Sequence, residues 1–132
     1  MRKYLIDTHV IIWLLENDDK LSRTARREIE NPDNQIFVSI VSLFEIAIKV
    51  KIGKLDFNKS VNDIVKELNN QGINILALNA FHIENYQSVP LIAYHRDPFD
   101  RILIATALHE NLSIITIDEK FENYKHIINV IW

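Results

Sequence analysis

Short, unbroken apolar segments alternate with segments of helical character along this sequence, and no other feature limits the fold as strongly. Strands are predicted at residues 4–6, 36–38, 73–78, 113–117 and 127–131. Helices are predicted over about 10–15, 22–30, 42–52, 60–71, 79–87 and 97–111. Strands without polar alternation are buried on both faces, and intervening helices connect parallel strands. The pattern therefore predicts an α/β fold in which a mostly parallel sheet carries helices on both faces.

Length and composition set the class of the molecule. The 132 residues suit one domain, and 48% hydrophobic residues are enough for an ordinary core. There is no cysteine, so disulfides and thiolate metal sites are excluded. The net charge of −3 is weak evidence against a nucleic-acid binder, but carboxylates that hold metal ions would carry the same surplus.

The start of the chain resembles a signal peptide only superficially. Asp7 and His9 interrupt its apolar run, and no small-residue cleavage site follows. No apolar run in the sequence approaches the ~18 residues that a membrane span requires. We therefore expect a soluble, cytoplasmic protein with no membrane partner.

Acidic residues follow the predicted strands at one edge of the sheet. Asp7 ends the first strand and Asp118 ends a later one. Glu45 and Asp100 are expected in the first turns of two helices that follow strands or begin at the same edge. The carboxyl ends of parallel strands border one crevice, where open α/β sheets bind their ligands. The four carboxylates are therefore expected to share that crevice.

Clustered carboxylates repel one another and raise one another's pKa unless a cation is present. Ligands that offer only oxygen suit Mg²⁺ or Mn²⁺, and a metal of this kind promotes hydrolysis of a phosphodiester. The hydroxyls of Thr8 and Thr116 flank the acids. They are expected either to orient a carboxylate or a ligand water, or to make local turn bonds. The five histidines show no close ligand spacing, so no zinc site is expected.

Each acid also has a purely structural interpretation, because Asp and Glu favour helix starts. Ser42 and Glu45 form a capping-box pattern, so Glu45 is as readily a cap as a ligand. Asp97 precedes Pro98 in a standard helix start, and it is expected to be a cap first and a ligand second. Asp100 is expected to be a ligand first. Only the four acids together favour a site.

Basic residues flank the last of these helix starts. His95 and Arg96 precede it, and Arg101 follows Asp100. They are expected either to hold RNA phosphates or to pair with the neighbouring acids.

At four places the sequence resembles the PIN-domain family, and within it the VapC toxins of type II toxin–antitoxin modules. The segments are LIDTHV at 5–10, VSIVSLFEI at 38–46, HRDPFDR at 95–101 followed by ILIATA, and TIDEKF at 116–121. Any one of them is a weak signal. All four occur in order over essentially the whole chain, so the resemblance is specific.

The resemblance implies a PIN-like three-layer fold with a sheet of about five strands, formed by a single domain over residues 1–132. It implies a Mg²⁺- or Mn²⁺-dependent endoribonuclease whose acidic residues correspond to Asp7, Glu45, Asp100 and Asp118. The expected partners are an RNA substrate, a small antitoxin that also binds operator DNA, and a second copy in a homodimer. Asp97 is an additional acid whose role the resemblance leaves open.

Several other functions are compatible with parts of this pattern. An aspartyl phosphatase needs a second Asp two residues after the first, where this chain has His9. A receiver domain needs an adjacent acidic pair near the first strand, where Asp7 stands alone. A PIN-like binding scaffold without activity, an RNA-processing nuclease and a DNA nuclease all remain alternatives.

Overall fold

The structure is a computed structural model that describes residues 1–92 and 97–132. Its strands are β1 (Lys3–Ile6), β2 (Gln35–Ser39), β3 (Asn74–Leu76), β4 (Ser113–Ile115) and β5 (Val130–Ile131). Its α-helices are α1 (Thr8–Glu16), α2 (Arg23–Glu30), α3 (Ile40–Lys51), α4 (Val61–Asn70), α5 (Ala80–Tyr86) and α6 (Pro98–Glu110). A 3₁₀ helix covers Glu119–Tyr124. Every predicted strand and helix has a counterpart, which confirms the alternation.

All the strands belong to one parallel sheet with the order β3-β2-β1-β4-β5. The central strand β1 pairs with β2 on one side and β4 on the other, so that Leu5 lies opposite Phe37 and Ile114. The chain adds β2 and β3 on one side of β1 and later adds β4 and β5 on the other side. Such a change of direction leaves a crevice at the carboxyl ends of the central strands. The predicted sheet and its parallel character are confirmed.

The two faces of the sheet bury separate clusters of side chains. Tyr4 and Ile6 of β1 point into a cluster that includes residues of α1, α2, α3 and α4. Leu5 points to the opposite face, where it packs in a cluster with Leu103 of α6 and Phe121 of the 3₁₀ helix. Successive side chains of a strand alternate between faces, so both faces are covered by helices. This arrangement confirms the predicted three layers.

The start of α3 differs from the prediction. The helix begins at Ile40, and its N-cap is Ser39, whose Oγ atom accepts from the backbone N–H of Val41 over 3.1 Å. The predicted capping box of Ser42 and Glu45 is therefore wrong. The hydroxyl of Ser42 is instead buried and has no hydrogen-bond partner in the described part of the chain.

Two further details separate the structure from the predicted elements. Strand β4 ends at Ile115, two residues earlier than expected, and the 3₁₀ helix was not predicted. In residues 1–92 and 97–132, no helix is both long enough and apolar enough to cross a membrane.

Candidate active site

Asp7 is fixed at the end of β1 by hydrogen bonds to both of its carboxylate oxygens. It is the N-cap of α1, and its Oδ1 atom accepts from the backbone N–H of Thr8 over 2.7 Å. Its Oδ2 atom accepts from the hydroxyl of Thr116 over 2.8 Å. The side chain is buried, with 4% of the residue exposed. Asp7 therefore caps a helix and also presents a rigid carboxylate at the central strand end.

Glu45 lies in the second turn of α3, one turn further along the helix than predicted. Its Oε1 atom accepts from the hydroxyl of Thr8 over 2.8 Å, and its Oε2 atom lies 2.9 Å from the Nζ atom of Lys49. Thr8 therefore connects Glu45 to Asp7, because its backbone N–H binds one acid and its hydroxyl binds the other. Glu45 therefore binds Thr8 and Lys49, and it does not cap the start of α3, which was the structural alternative expected for it.

Asp118 lies just beyond β4 and joins the same network through Thr116. Its backbone N–H donates to the Oγ atom of Thr116 over 3.0 Å. Its own carboxylate caps the 3₁₀ helix by accepting from the backbone N–H of Lys120 over 2.9 Å. Thr116 therefore makes both of the contacts that were offered as alternatives, since it orients the Asp7 carboxylate and also stabilises the local turn.

Helix α6 supplies the remaining acids. Asp97 is its exposed N-cap and accepts from the backbone N–H of Phe99 over 2.9 Å, as the sequence predicted. Asp100 lies in the first turn and is partly buried. Phe99 in this turn contacts Phe44, the residue before Glu45 in α3, so the turn lies close to the helix that carries Glu45. The structure thus assembles acids from four separate elements.

The pKa of Asp100 responds to burial and to the other acids of the crevice. Burial raises the pKa of Asp100 from its ordinary value of 3.8 to about 8, and repulsion from other carboxylates adds to the shift. The carboxylates that repel Asp100 are, in decreasing order of effect, Asp7, Asp97, Asp118 and Glu45. All the other acids of the candidate site therefore act on Asp100. Burial and the surrounding negative charge therefore both favour the protonated form of Asp100 in the absence of a cation.

Burial also raises the pKa of Asp7, while hydrogen bonds from Thr116 and Thr8 oppose this shift. Repulsion from Glu45 acts in the same direction as burial. A bound cation would reverse these shifts by favouring the ionised carboxylates. The site is therefore one in which positive charge is favoured.

The structure uses Arg101 differently from the expectation. Its guanidinium is buried, with 4% of the residue exposed, and donates to the backbone carbonyls of Val89 and Pro90 over 2.9 and 2.8 Å. It also lies over the ring of Tyr86 at 5.1 Å from the centroid. This arginine therefore fixes the chain after α5 to helix α6. The structure thus corrects the expectation that Arg101 contacts a phosphate or pairs with a neighbouring acid. The expectation for Arg96, and for His95 beside it, falls outside the described residues.

Sequence reasoning missed two features that adjoin the acids. Lys49 forms an ion pair with Glu45 from one turn further along α3, a contact that the i,i+4 spacing could have revealed. Phe44 is 61% exposed and meets Phe99 edge to face, with 6.2 Å between ring centroids. These rings directly precede Glu45 and Asp100 in sequence. An exposed ring packed against a half-buried one, next in sequence to two of the acids, offers a surface on which nucleotide bases can stack.

The donor set fits a hard divalent cation. Within residues 1–92 and 97–132, no group of three or more acidic or histidine side chains converges closely enough to hold a metal ion by itself. Mg²⁺ does not require such a cage, because it usually keeps several waters and binds one or two carboxylates together with substrate phosphates. The carboxylate oxygens, and the repulsion that the other acids exert on Asp100, suit this mode of binding.

Comparisons with known proteins agree with this architecture. A family model described as PIN domain matches residues 4–127. Ribonuclease VapC22 from Mycobacterium tuberculosis is 24% identical over 135 residues, which cover 96% of this chain and 95% of that protein.

Solved structures show the same fold. VapBC2 from Rickettsia felis, bound to a DNA fragment from its promoter, matches with a TM-score of 0.67 at 15% identity, over 98% of this chain and 97% of that one. VapBC-1 from nontypeable Haemophilus influenzae matches with a TM-score of 0.64 at 23% identity, over 98% and 96% of the two chains.

Proposed function

The chain belongs to the PIN-domain family, and from this premise we propose that it is a metal-dependent endoribonuclease that acts as the toxin of a toxin–antitoxin module. One observation carries the proposal. A continuous set of hydrogen bonds through Thr116 and Thr8 positions Asp118, Asp7 and Glu45 at the central strand ends, where Asp100 adds its charge. A binding scaffold that had lost its activity would have no need to keep this costly arrangement of buried acids.

The acidic residues have distinct parts in the proposed reaction. Asp7, Asp100 and Asp118 would hold Mg²⁺ or Mn²⁺, and Glu45 would either complete this set or orient the attacking water. When bound, the metal supplies positive charge at the scissile phosphate and lowers the pKa of water. Thr116 and Thr8 keep the carboxylates aimed into the crevice, as partners of metal ligands commonly do. No side-chain nucleophile is required, so hydrolysis would proceed without a covalent intermediate.

The surroundings of the acids favour a nucleic-acid substrate. Phe44 and Phe99 offer aromatic faces, and Lys49 supplies a positive charge beside Glu45. Bases that are free to stack occur in single strands, so an unpaired stretch of RNA is the expected target. The curated relative is itself named a ribonuclease, which supports RNA over DNA.

The partners follow from the same premise. The similar solved structures are named as VapBC complexes, one of them bound to promoter DNA. We expect this chain to bind a small cognate antitoxin and to form a homodimer. Residues 1–132 would act as a single nuclease domain, in the cytoplasm where the RNA substrate is found.

Cleavage assays on purified protein test the proposal. Mixed structured and unstructured RNA is incubated with Mg²⁺, with Mn²⁺ and with EDTA. The wild type is compared with Asp7→Asn and with Asp33→Asn. Asp33 is an exposed acid just before β2, at the opposite edge of the sheet from the carboxyl ends of the strands. Cleavage should require metal, persist in Asp33→Asn and disappear in Asp7→Asn. Cleavage at the wild-type rate in Asp7→Asn, or in EDTA, would refute the assignment.

A second assay separates the toxin from other nucleases with this fold. The chain is expressed together with any small open reading frame that adjoins its gene, and the chain with its bound partner is isolated by affinity capture. A stoichiometric small partner that suppresses cleavage is expected for a toxin. Cleavage without any such partner would favour the RNA-processing alternative.

A further inference from the structure

Lys49 lies among the acids of the candidate site, and its part in the binding of metal and substrate has not yet been specified. Its Nζ atom is 2.9 Å from the Oε2 atom of Glu45, and 34% of its side chain is exposed. Glu45 is far more buried, with 10% of its side chain exposed. The lysine therefore reaches from the surface into the crevice and places a full positive charge on one oxygen of a buried carboxylate.

The charge on Lys49 acts on more than one acid. The pKa of Lys49 is raised chiefly by its hydrogen bond to Glu45, and attraction to Asp97 and Asp100 adds to the effect. The ammonium group thus lies within the electrostatic reach of two elements, α3 and the start of α6. Without a metal ion, it is a cation that the protein itself supplies to this acidic crevice.

The two oxygens of Glu45 are held differently. Oε1 accepts from the buried hydroxyl of Thr8, a short side chain with little freedom to leave. Oε2 is held by Lys49, a long and partly exposed side chain whose ammonium group can turn into solvent while its aliphatic stem stays packed. A divalent cation that binds Oε2 would therefore have to displace the ammonium group of Lys49. The released ammonium then lacks its strongest partner, beside the place where a substrate phosphate would arrive.

We infer that Lys49 is an exchangeable counter-ion, which holds Glu45 in the metal-free protein, yields it to the metal ion, and then contacts a phosphate of the bound RNA. This inference rests on the proposed function for its second half only. Competition for Glu45 concerns the metal alone and can be measured without RNA.

Lys51 provides a matched control. Both lysines lie in the last turn of α3, where a positive charge favours the helix dipole to a similar extent. Lys51 is exposed, and only Lys49 pairs with Glu45. A comparison of Lys49→Gln with Lys51→Gln therefore separates the effect of position from the general loss of one charge. Lys49→Arg keeps the charge and tests whether charge alone is sufficient.

Mn²⁺ binding, measured by calorimetry, tests the first half of the inference. Lys49→Gln should bind Mn²⁺ at least about threefold more tightly than wild type, because a competing cation is removed from the site. Lys51→Gln should stay within about twofold of wild type, since its charge is more distant and screened by solvent. Equal Mn²⁺ affinity in wild type and Lys49→Gln would overturn the exchange.

RNA binding tests the second half. A short, labelled, unstructured RNA is titrated in Ca²⁺ and in EDTA, and its integrity is checked afterwards by electrophoresis. In Ca²⁺, Lys49→Gln should bind RNA roughly fivefold more weakly and lower the salt slope by about 1, as the loss of one phosphate contact predicts. In EDTA the affinities of wild type and Lys49→Gln should agree, because Lys49 is then held by Glu45. Lys49→Arg should bind within about twofold of wild type.

The outcomes distinguish this inference from the proposed function. An equal loss of RNA affinity in Lys49→Gln and Lys51→Gln would overturn the phosphate contact. If wild type neither binds nor cleaves RNA, the proposed function fails and the phosphate contact fails with it. The Mn²⁺ titration still decides, in that case, whether Lys49 competes for Glu45.

Discussion

The hydroxyl of Thr116 donates to the Oδ2 atom of Asp7 over 2.8 Å and so joins residues that are 109 positions apart. The same oxygen accepts from the backbone N–H of Asp118 over 3.0 Å. One small side chain therefore positions two of the acids proposed to hold the metal. Thr116 is buried, so the packing around it keeps its hydroxyl in a fixed position.

Replacement of this hydroxyl should weaken the site without unfolding the protein. Thr116→Val keeps the branched shape but cannot donate to Asp7, and a loss of about 10- to 100-fold in metal affinity or cleavage rate is expected. Thr116→Ser keeps the hydroxyl and should restore most of the loss. Calorimetry with Mn²⁺ and initial cleavage rates measure both effects. Wild-type behaviour of Thr116→Val would show that the hydrogen bond is dispensable.

The stability of the metal-free protein should depend on pH through Asp100. Its pKa is about 8 in the folded protein, against an ordinary value of 3.8, so the folded state holds a proton that the unfolded state has lost. The free energy of unfolding should therefore decrease as the pH rises from about 4 to about 8. Thermal unfolding in EDTA across this range measures the decrease. Asp100→Asn should have a flatter profile, and an unchanged slope in that variant would contradict the assignment.

Removal of the buried guanidinium of Arg101 should destabilise the fold. Arg101→Met leaves the carbonyls of Val89 and Pro90 without their donor, which should cost about 2–5 kcal/mol. Urea denaturation measures the change. Arg27→Met, at an exposed position of α2, should stay within about 0.5 kcal/mol of wild type. A stable Arg101→Met protein that binds RNA poorly would instead support a phosphate contact.

The exposed ring of Phe44 should contribute to RNA binding. If a base stacks on it, Phe44→Ala should weaken binding by about 1–3 kcal/mol and leave the metal affinity unchanged. Phe81→Ala on α5 is a suitable control, because Phe81 is 66% exposed but belongs to a different helix. Fluorescence anisotropy with labelled RNA compares the two variants. Equal effects of both substitutions would argue against a specific stacking role.

The fold was predictable because its signals are local. Continuous apolar runs, helix caps and two helix-ending glycines mark the elements, and parallel pairing follows from their alternation. Asp7 was placed correctly for the same reason, since it follows directly on β1, whereas Asp118 lies three residues beyond the end of β4. The family resemblance, now confirmed by the match to residues 4–127, rests on these positions.

The wrong predictions concern features that the local sequence does not determine, namely the exact start of a helix and the direction in which a side chain points. Ser39 and Ser42 are both good N-caps, and the apolar residues between them fit a strand as well as a helix. Arg101 follows Asp100 directly, but successive residues of a helix point about 100° apart. The arginine therefore enters the core while the acid faces the crevice. Lys49 was overlooked because its partner lies a helical turn away.

The pairing of β1 with β4 has a consequence for how such a protein is made. Asp7 leaves the ribosome early, whereas Thr116 and Asp118 emerge only after more than a hundred further residues have been synthesised. The central pair of strands cannot close before that point, so the nascent chain lacks the contacts that aim its carboxylates. The proposed metal site can therefore be completed only after synthesis has passed Asp118, close to the C-terminal end of the domain.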